Sequence, residues 1–203
     1  MSFYDFCKTL LRPLTRLLYD ARISGLENVP LTGPLVVAAN HRSYLDPPLL
    51  GAWFPRTIHY MAKKELFAIS WLGPILRNVH SFPVNREIAD PGAIKHALKV
   101  LRAGEVVGIF PEGTRNIDGA ARARSGAVLL AATAKCPILP VALLHTEQAF
   151  RRFRAVPVEI RIGVPLVFQG TERKATKAEL ERWTLDLAAA IERLMPEQHD
   201  GNT

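Results

Sequence analysis

Apolar and polar positions along this chain keep two rhythms. Short runs of small, aromatic and β-branched residues read as strands: "PLVVAAN" (34–40), "TIHYMAKKEL" (57–66), "HSFPVNR" (80–86), "EVVGIFPEG" (105–113) and "CPILPVALL" (136–144). Between them lie stretches with helical spacing. Residues 91–102 place Ile94, Leu98 and Leu101 on one face and stop at Gly104, and 124–135 is a helix of small apolar residues. Thr176 and Glu179 have capping-box spacing and open a helix over 177–194, with Leu180, Trp183, Leu187 and Ile191 on its apolar face. Shorter helical stretches fall at 48–54, 64–70 and 70–79, the last broken at Gly73-Pro74. "PVEIRIGVPLVF" (157–168) alternates like an exposed edge strand. Strand and helix in turn predict an α/β fold, a largely parallel central sheet flanked by helices.

Residues 2–21 stand apart from this alternation. At ~100° per residue, Phe3, Phe6, Leu10, Leu14 and Leu17 share one side, with Leu11 and Leu18 beside them, while Lys8, Arg12 and Arg16 gather elsewhere. Two placements suit such a helix. It lies in a bilayer interface with its cations towards anionic headgroups, or it packs on its own domain with the basic face solvated. The aromatic-leucine composition at the N-terminus favours the first, giving a membrane-surface helix over 1–22 and one globular domain over 23–203.

Composition narrows the partners. The 203 residues are 48% hydrophobic, enough for one sizeable core, and contain no long apolar run of membrane-spanning length. A formal charge of +7 and a pI near 9.7 favour an anionic partner: lipid headgroups, a phosphorylated substrate or nucleic acid. Nucleic acid is disfavoured because the aromatics are not interleaved with Lys and Arg in an RNA-binding pattern. Cys7 and Cys136 make neither a disulfide framework nor a zinc cluster. With no secretory pattern at the N-terminus, these thiols point to the cytoplasmic side.

Three of the predicted strands end in unusual polar groups: His41 to Asp46, Asn85-Arg86, and Glu112 to Arg115. Ligand sites in open α/β sheets gather beyond the carboxyl ends of strands, so these groups are candidates for one crevice. On a regular helix His41 and Asp46 would stand roughly 140° apart. They meet only if His41 lies in the turn and Asp46 opens the next element, where Pro47 suits a first helical turn. Asp46 would then fix the imidazole tautomer and leave the other nitrogen to take a proton from a hydroxyl. Taken alone, the pair also fits a turn hydrogen bond and a helix cap. Ser43 serves equally as relay or turn cap, and no serine or cysteine nearby stands out as a nucleophile, which points to a substrate hydroxyl attacking directly. His41, Asp46, His59 and His80 lack metal-ligand spacing, so no metal is expected. Gly113 permits a sharp turn after Glu112, and Arg86 and Arg115 suit a phosphate monoester.

These stretches resemble four blocks of the glycerolipid acyltransferase family, typified by lysophosphatidate acyltransferases. "NHRSYLD" matches its His-x4-Asp signature, "SFPVNR" its second block, "FPEGTRN" its third and "CPILPVAL" its fourth, in family order across roughly 40–143. Asn85 departs from the aspartate common at that position. The resemblance implies acyl transfer from acyl-CoA or acyl-carrier protein, as co-substrate and without a further cofactor, to the free hydroxyl of 1-acylglycerol-3-phosphate. His41 would be the general base and Asp46 its orienting partner. Arg86 and Arg115 would hold the acceptor's phosphate, with Glu112, Gly113 and Thr114 shaping its site. Another lyso-lipid acceptor, such as a lyso-ornithine lipid, and a non-catalytic lipid-binding protein are the alternative readings. The expected location is peripheral or monotopic, on the cytoplasmic face of the inner or plasma membrane.

Overall fold

A computed structural model describes residues 1–85, 90–111, 125–149, 155–168 and 175–196. In chain order the elements are α1 (Phe3–Tyr19), β1 (Arg22–Ser24), β2 (Leu35–Ala39), α2 (Asp46–Trp53), β3 (Ile58–Lys63), α3 (Leu72–Asn78), β4 (Phe82–Val84), α4 (Pro91–Arg102), β5 (Val106–Ile109), α5 (Gly126–Ala134), β6 (Ile138–Leu144), β7 (Glu159–Ile162) and α6 (Lys177–Glu192). The strands form one sheet in the order β1-β7-β6-β2-β5-β3-β4. All neighbours are parallel except β6 and β7. This is the α/β arrangement that the alternating pattern predicts.

Period-two alternation sends β2 into both cores. Leu35, Val37 and Ala39 face one side, where Leu49, Leu50, Trp53 and Phe54 of α2 and its C-cap cover the sheet. Val36 and Ala38 face the other, against Ala97 and Leu101 of α4, Val128 and Ala131 of α5, and Trp183 and Leu187 of α6. Burial of β2 on both faces explains its unbroken apolar sequence.

Three local expectations change. The segment 157–168 yields β7 and, beyond it, a single bridge from Leu166 to Ile138, and β7 is not an edge, because Arg22–Ser24 pairs along its outer side. Three residues are too few to show a period, so β1 left no mark in the pattern. Nor is 70–79 broken at Gly73-Pro74: α3 starts there, with proline in its first turn where no helical N–H is required. Helix α1 packs on its own domain, but its basic side is not wholly solvated. Tyr4, Thr15 and Tyr19 are its buried residues, and Leu11 and Leu18 pack partly against the core. The Tyr4 hydroxyl donates to the Gly51 carbonyl and accepts from the Ile58 amide, while Trp53 Nε1 donates to Thr15 Oγ1 at 3.0 Å. Lys8 donates to the carbonyl of Phe54 at the end of α2, and Arg12 lies 5.0 Å above the Trp53 ring. Two of the helix's cations are therefore turned towards α2. Phe3, Phe6, Leu10, Leu14 and Leu17 remain exposed at 40–64%.

Candidate active site

The site begins where the β2 ladders end. The last β2 pairings are Ala38 with Ile109 of β5 and Ala39 with Val141 of β6. At the next residue a side chain replaces the main chain. Asn40 Nδ2 donates to the Leu143 carbonyl at 2.9 Å, and its Oδ1 accepts from the Leu143 N–H at 2.7 Å. The carboxamide thus continues the sheet while the backbone departs. A carboxamide suits this place because it carries donor and acceptor together. His41 follows at once.

Asp46 opens α2 and closes the turn. Its Oδ2 accepts His41 Nδ1–H at 2.8 Å and the main-chain N–H groups of Arg42 and Ser43, both at 2.7 Å. Asp46 is fully buried and His41 nearly so. A carboxylate accepting two amide hydrogens has no proton to give, so Nδ1 carries the hydrogen of the third contact, and in the neutral imidazole Nε2 keeps the lone pair. The first turn of α2 adds a favourable field for the negative charge. Ser43 Oγ accepts from the Leu45 N–H at 3.2 Å, which makes it a turn cap. The imidazole is also stacked on Phe110, ring centroids 4.3 Å apart, and Phe110 lies parallel to Tyr60 at 6.0 Å. Tautomer and ring plane are therefore both fixed. Burial raises the Tyr60 phenol well above its ordinary range, so that ring is a neutral backing surface.

His41 and Asp46 thus meet as the spacing predicts. Arg86, Glu112, Gly113, Thr114 and Arg115 lie outside the described residues; Asn85 and Pro111, which precede them, sit just past the carboxyl ends of β4 and β5. Sequence reasoning missed Asn40 and Phe110. The signal for the first was an amide directly after an apolar strand and before the histidine. A separate groove of about 520 Å³ opens at the β4 edge, lined by residues including Lys64, Phe82, Asn85, Pro91 and His96. It contains neither dyad residue, and β5 and β3 stand between β4 and β2.

A fixed His–carboxylate pair at a strand end of a mostly parallel α/β sheet suits an enzyme of the class that uses a base on its substrate. Comparison with known proteins gives that class its family. The model of the acyltransferase family matches residues 20–144, a span containing all four sequence blocks. The chain is 38% identical over 164 residues to the 1-acyl-sn-glycerol-3-phosphate acyltransferase of Bacillus subtilis (strain 168), covering 80% of this chain and 82% of that protein. It is 33% identical to the enzyme of the same name from Borreliella burgdorferi, over 63% of this chain and 52% of that one. The chain thus spans most of the first relative and about half of the second. The crystal structure of the 1-acyl-sn-glycerophosphate (LPA) acyltransferase PlsC from Thermotoga maritima superposes with a TM-score of 0.74 at 25% identity, over 94% of this chain and 78% of that one. This chain belongs to the acyltransferase family, and it is an O-acyltransferase.

Proposed function

We propose that the protein transfers a fatty acyl group from an acyl thioester, acyl-CoA or acyl-carrier protein, to the free hydroxyl of 1-acylglycerol-3-phosphate, giving phosphatidate. The observation that carries this reading is the buried Asp46–His41 contact at 2.8 Å, which leaves Nε2 as the available base. Nε2 takes the proton of the acceptor hydroxyl as its oxygen bonds to the thioester carbonyl carbon. The tetrahedral oxyanion then collapses, the C–S bond breaks, and the imidazolium returns the proton to the departing thiolate. No external redox partner or metal is needed for this balance. A secondary alcohol is a poor nucleophile near neutral pH, so base assistance supplies about 10²–10⁴ in rate. Arg86 and Arg115 are proposed to hold the acceptor's phosphate, with Glu112, Gly113 and Thr114 around it. The relatives bearing the lysophosphatidate acyltransferase name support this acceptor over a lyso-ornithine lipid.

No described helix is long and apolar enough to cross a membrane. The exposed apolar side of α1 instead supports peripheral binding to a membrane surface, for which we propose the cytoplasmic face. Purified chain assayed on 1-acylglycerol-3-phosphate, with acyl-CoA and acyl-carrier protein in parallel, tests the reaction. Thioester-dependent phosphatidate formation that His41→Ala lowers at least a hundredfold is the expected result. Full turnover by that variant overturns the base assignment.

A further inference from the structure

Arg42 follows His41, and nothing in the reaction scheme above uses its side chain. Its main-chain N–H is bound to Asp46, so its Cα is fixed in the same turn as the dyad. Consecutive Cα atoms lie about 3.8 Å apart, which roots the side chain beside the proposed base. The side chain is 35% exposed, and among the described residues it pairs with Glu147, with Nη1 and Oε1 3.7 Å apart. That distance is Coulombic contact, too long for a hydrogen bond. Among the described residues the guanidinium donates no hydrogen bond at all, whereas Arg56 spends its donors on the carbonyls of Pro30, Gly33 and Gly104. Among these residues the Arg42 side chain therefore makes no hydrogen-bonded tie. Glu147 stands just past β6, the strand that Asn40 clamps to β2. It holds the guanidinium by charge near the carboxyl end of β6 and, among the described residues, leaves its fork unspent.

We infer that Arg42 is a further phosphate-binding residue of the site and contacts the phosphate monoester of the acceptor. This rests on the acceptor proposed above. In a 1-acylglycerol-3-phosphate the phosphorus is four bonds from the reacting hydroxyl oxygen, so a phosphate must lie close to any imidazole bonded to that hydroxyl. An arginine rooted one residue from the base meets this requirement, and its planar fork matches a phosphate's oxygens. Glu147 acts as a positioning residue, limiting where the guanidinium swings before the ligand arrives.

The test uses the full chain, wild type and Arg42→Gln, with 1-hexanoylglycerol 3-phosphate as a soluble probe. The main-chain bond to Asp46 survives the substitution, and unchanged circular dichroism checks the fold. Calorimetric titration reads binding without turnover, and initial rates give the Michaelis constants of acceptor and acyl-CoA separately. The expected result is about tenfold weaker probe binding, the size of one partly exposed charge-assisted contact. KM for the acceptor rises similarly and KM for acyl-CoA does not. Arg42→Lys should fall between, keeping the charge without the fork. Wild-type probe affinity in Arg42→Gln, no probe binding by wild type, or an effect confined to acyl-CoA overturns the inference. If wild type binds the probe and acylates none of it, the proposed reaction fails while the Arg42 contact is still read by titration.

Discussion

The Asn40 carboxamide is hydrogen-bonded in both directions to the main chain of Leu143, at 2.9 and 2.7 Å, one residue before the proposed base. This contact joins β2 to β6 where their ladder stops. Asn40→Ala leaves the buried N–H and C=O of Leu143 without these partners, at a cost of about 1–3 kcal/mol. Asn40→Asp keeps an acceptor for the N–H but turns a carboxylate towards the carbonyl. Both are expected to lower kcat at least tenfold, because the clamp sets His41's position. Loss of melting temperature alone, with wild-type kcat and pH profile at a permissive temperature, would assign the clamp to stability only.

Asp46 concentrates three donors on one oxygen, so Asp46→Asn disturbs more than charge. The amide accepts these hydrogens less strongly, and it no longer selects the tautomer that frees Nε2. We expect kcat to fall about 10²–10⁴-fold, with about 1.5–3 kcal/mol of stability lost. Chemical denaturation alongside single-turnover acylation separates the two effects. Near-wild-type turnover in a folded variant would remove Asp46 from the mechanism.

The strands and the long helices were legible because burial on one or two faces imposes a period, and the dyad because proline after Asp46 suits a helix start. What the sequence hid depends on where the backbone turns. Nothing in a five-residue spacing shows that Arg42 and Ser43 point their amides at the same oxygen as His41. Nor does a helical wheel reveal how α1 sits. It separates an apolar side from a basic one, yet Thr15 is buried beneath Trp53, while Lys8 and Arg12 turn to α2 and Phe6 and Leu10 are outside. Hydrogen-bonding partners on α2 decided that orientation, and they lie far along the chain.

His59 on β3 and His80 before β4 lie with ring centroids 5.2 Å apart, and His80 also meets Tyr4 of α1 at 5.7 Å. Burial lowers the His59 pKa first, repulsion from His80 second and from His96 last, with Glu105 opposing. The folded state thus favours neutral His59, while the unfolded imidazole titrates near about 6.5. As pH falls below that value the unfolded chain binds the proton first, so this stability is fully present above it and lost on acidification. His59→Gln should flatten the fall in melting temperature as pH drops below about 6.5, the unfolded value. An unchanged slope would place the acid sensitivity elsewhere.

Cys136 is buried at the end of α5, and burial raises its thiol to about 11. At pH 8 it is almost wholly protonated as well as inaccessible, whereas Cys7 is half-buried on α1. Iodoacetamide should modify Cys7 in the native protein and reach Cys136 only in denaturant. Mass mapping showing equal native labelling would contradict the packing of α5 against β2.

The exposed side of α1 can be tested without disturbing its buried side. Removing 1–21 would also strip Tyr4, Thr15 and Tyr19 from the core, so a deletion confuses folding with membrane binding. Leu10 and Leu17 are 53% and 64% exposed, and glutamate at both should change stability by no more than about 0.5 kcal/mol each. Each substitution removes an apolar side chain worth about 1.5–3 kcal/mol on full burial and sets a negative charge against an anionic surface. The double variant should therefore lose at least tenfold in partitioning to phosphatidylglycerol vesicles measured by co-sedimentation. Its turnover of a water-soluble short-chain acceptor should persist, since neither residue is among the hydrogen-bond partners of the dyad. Undiminished sedimentation would show that another surface meets the membrane.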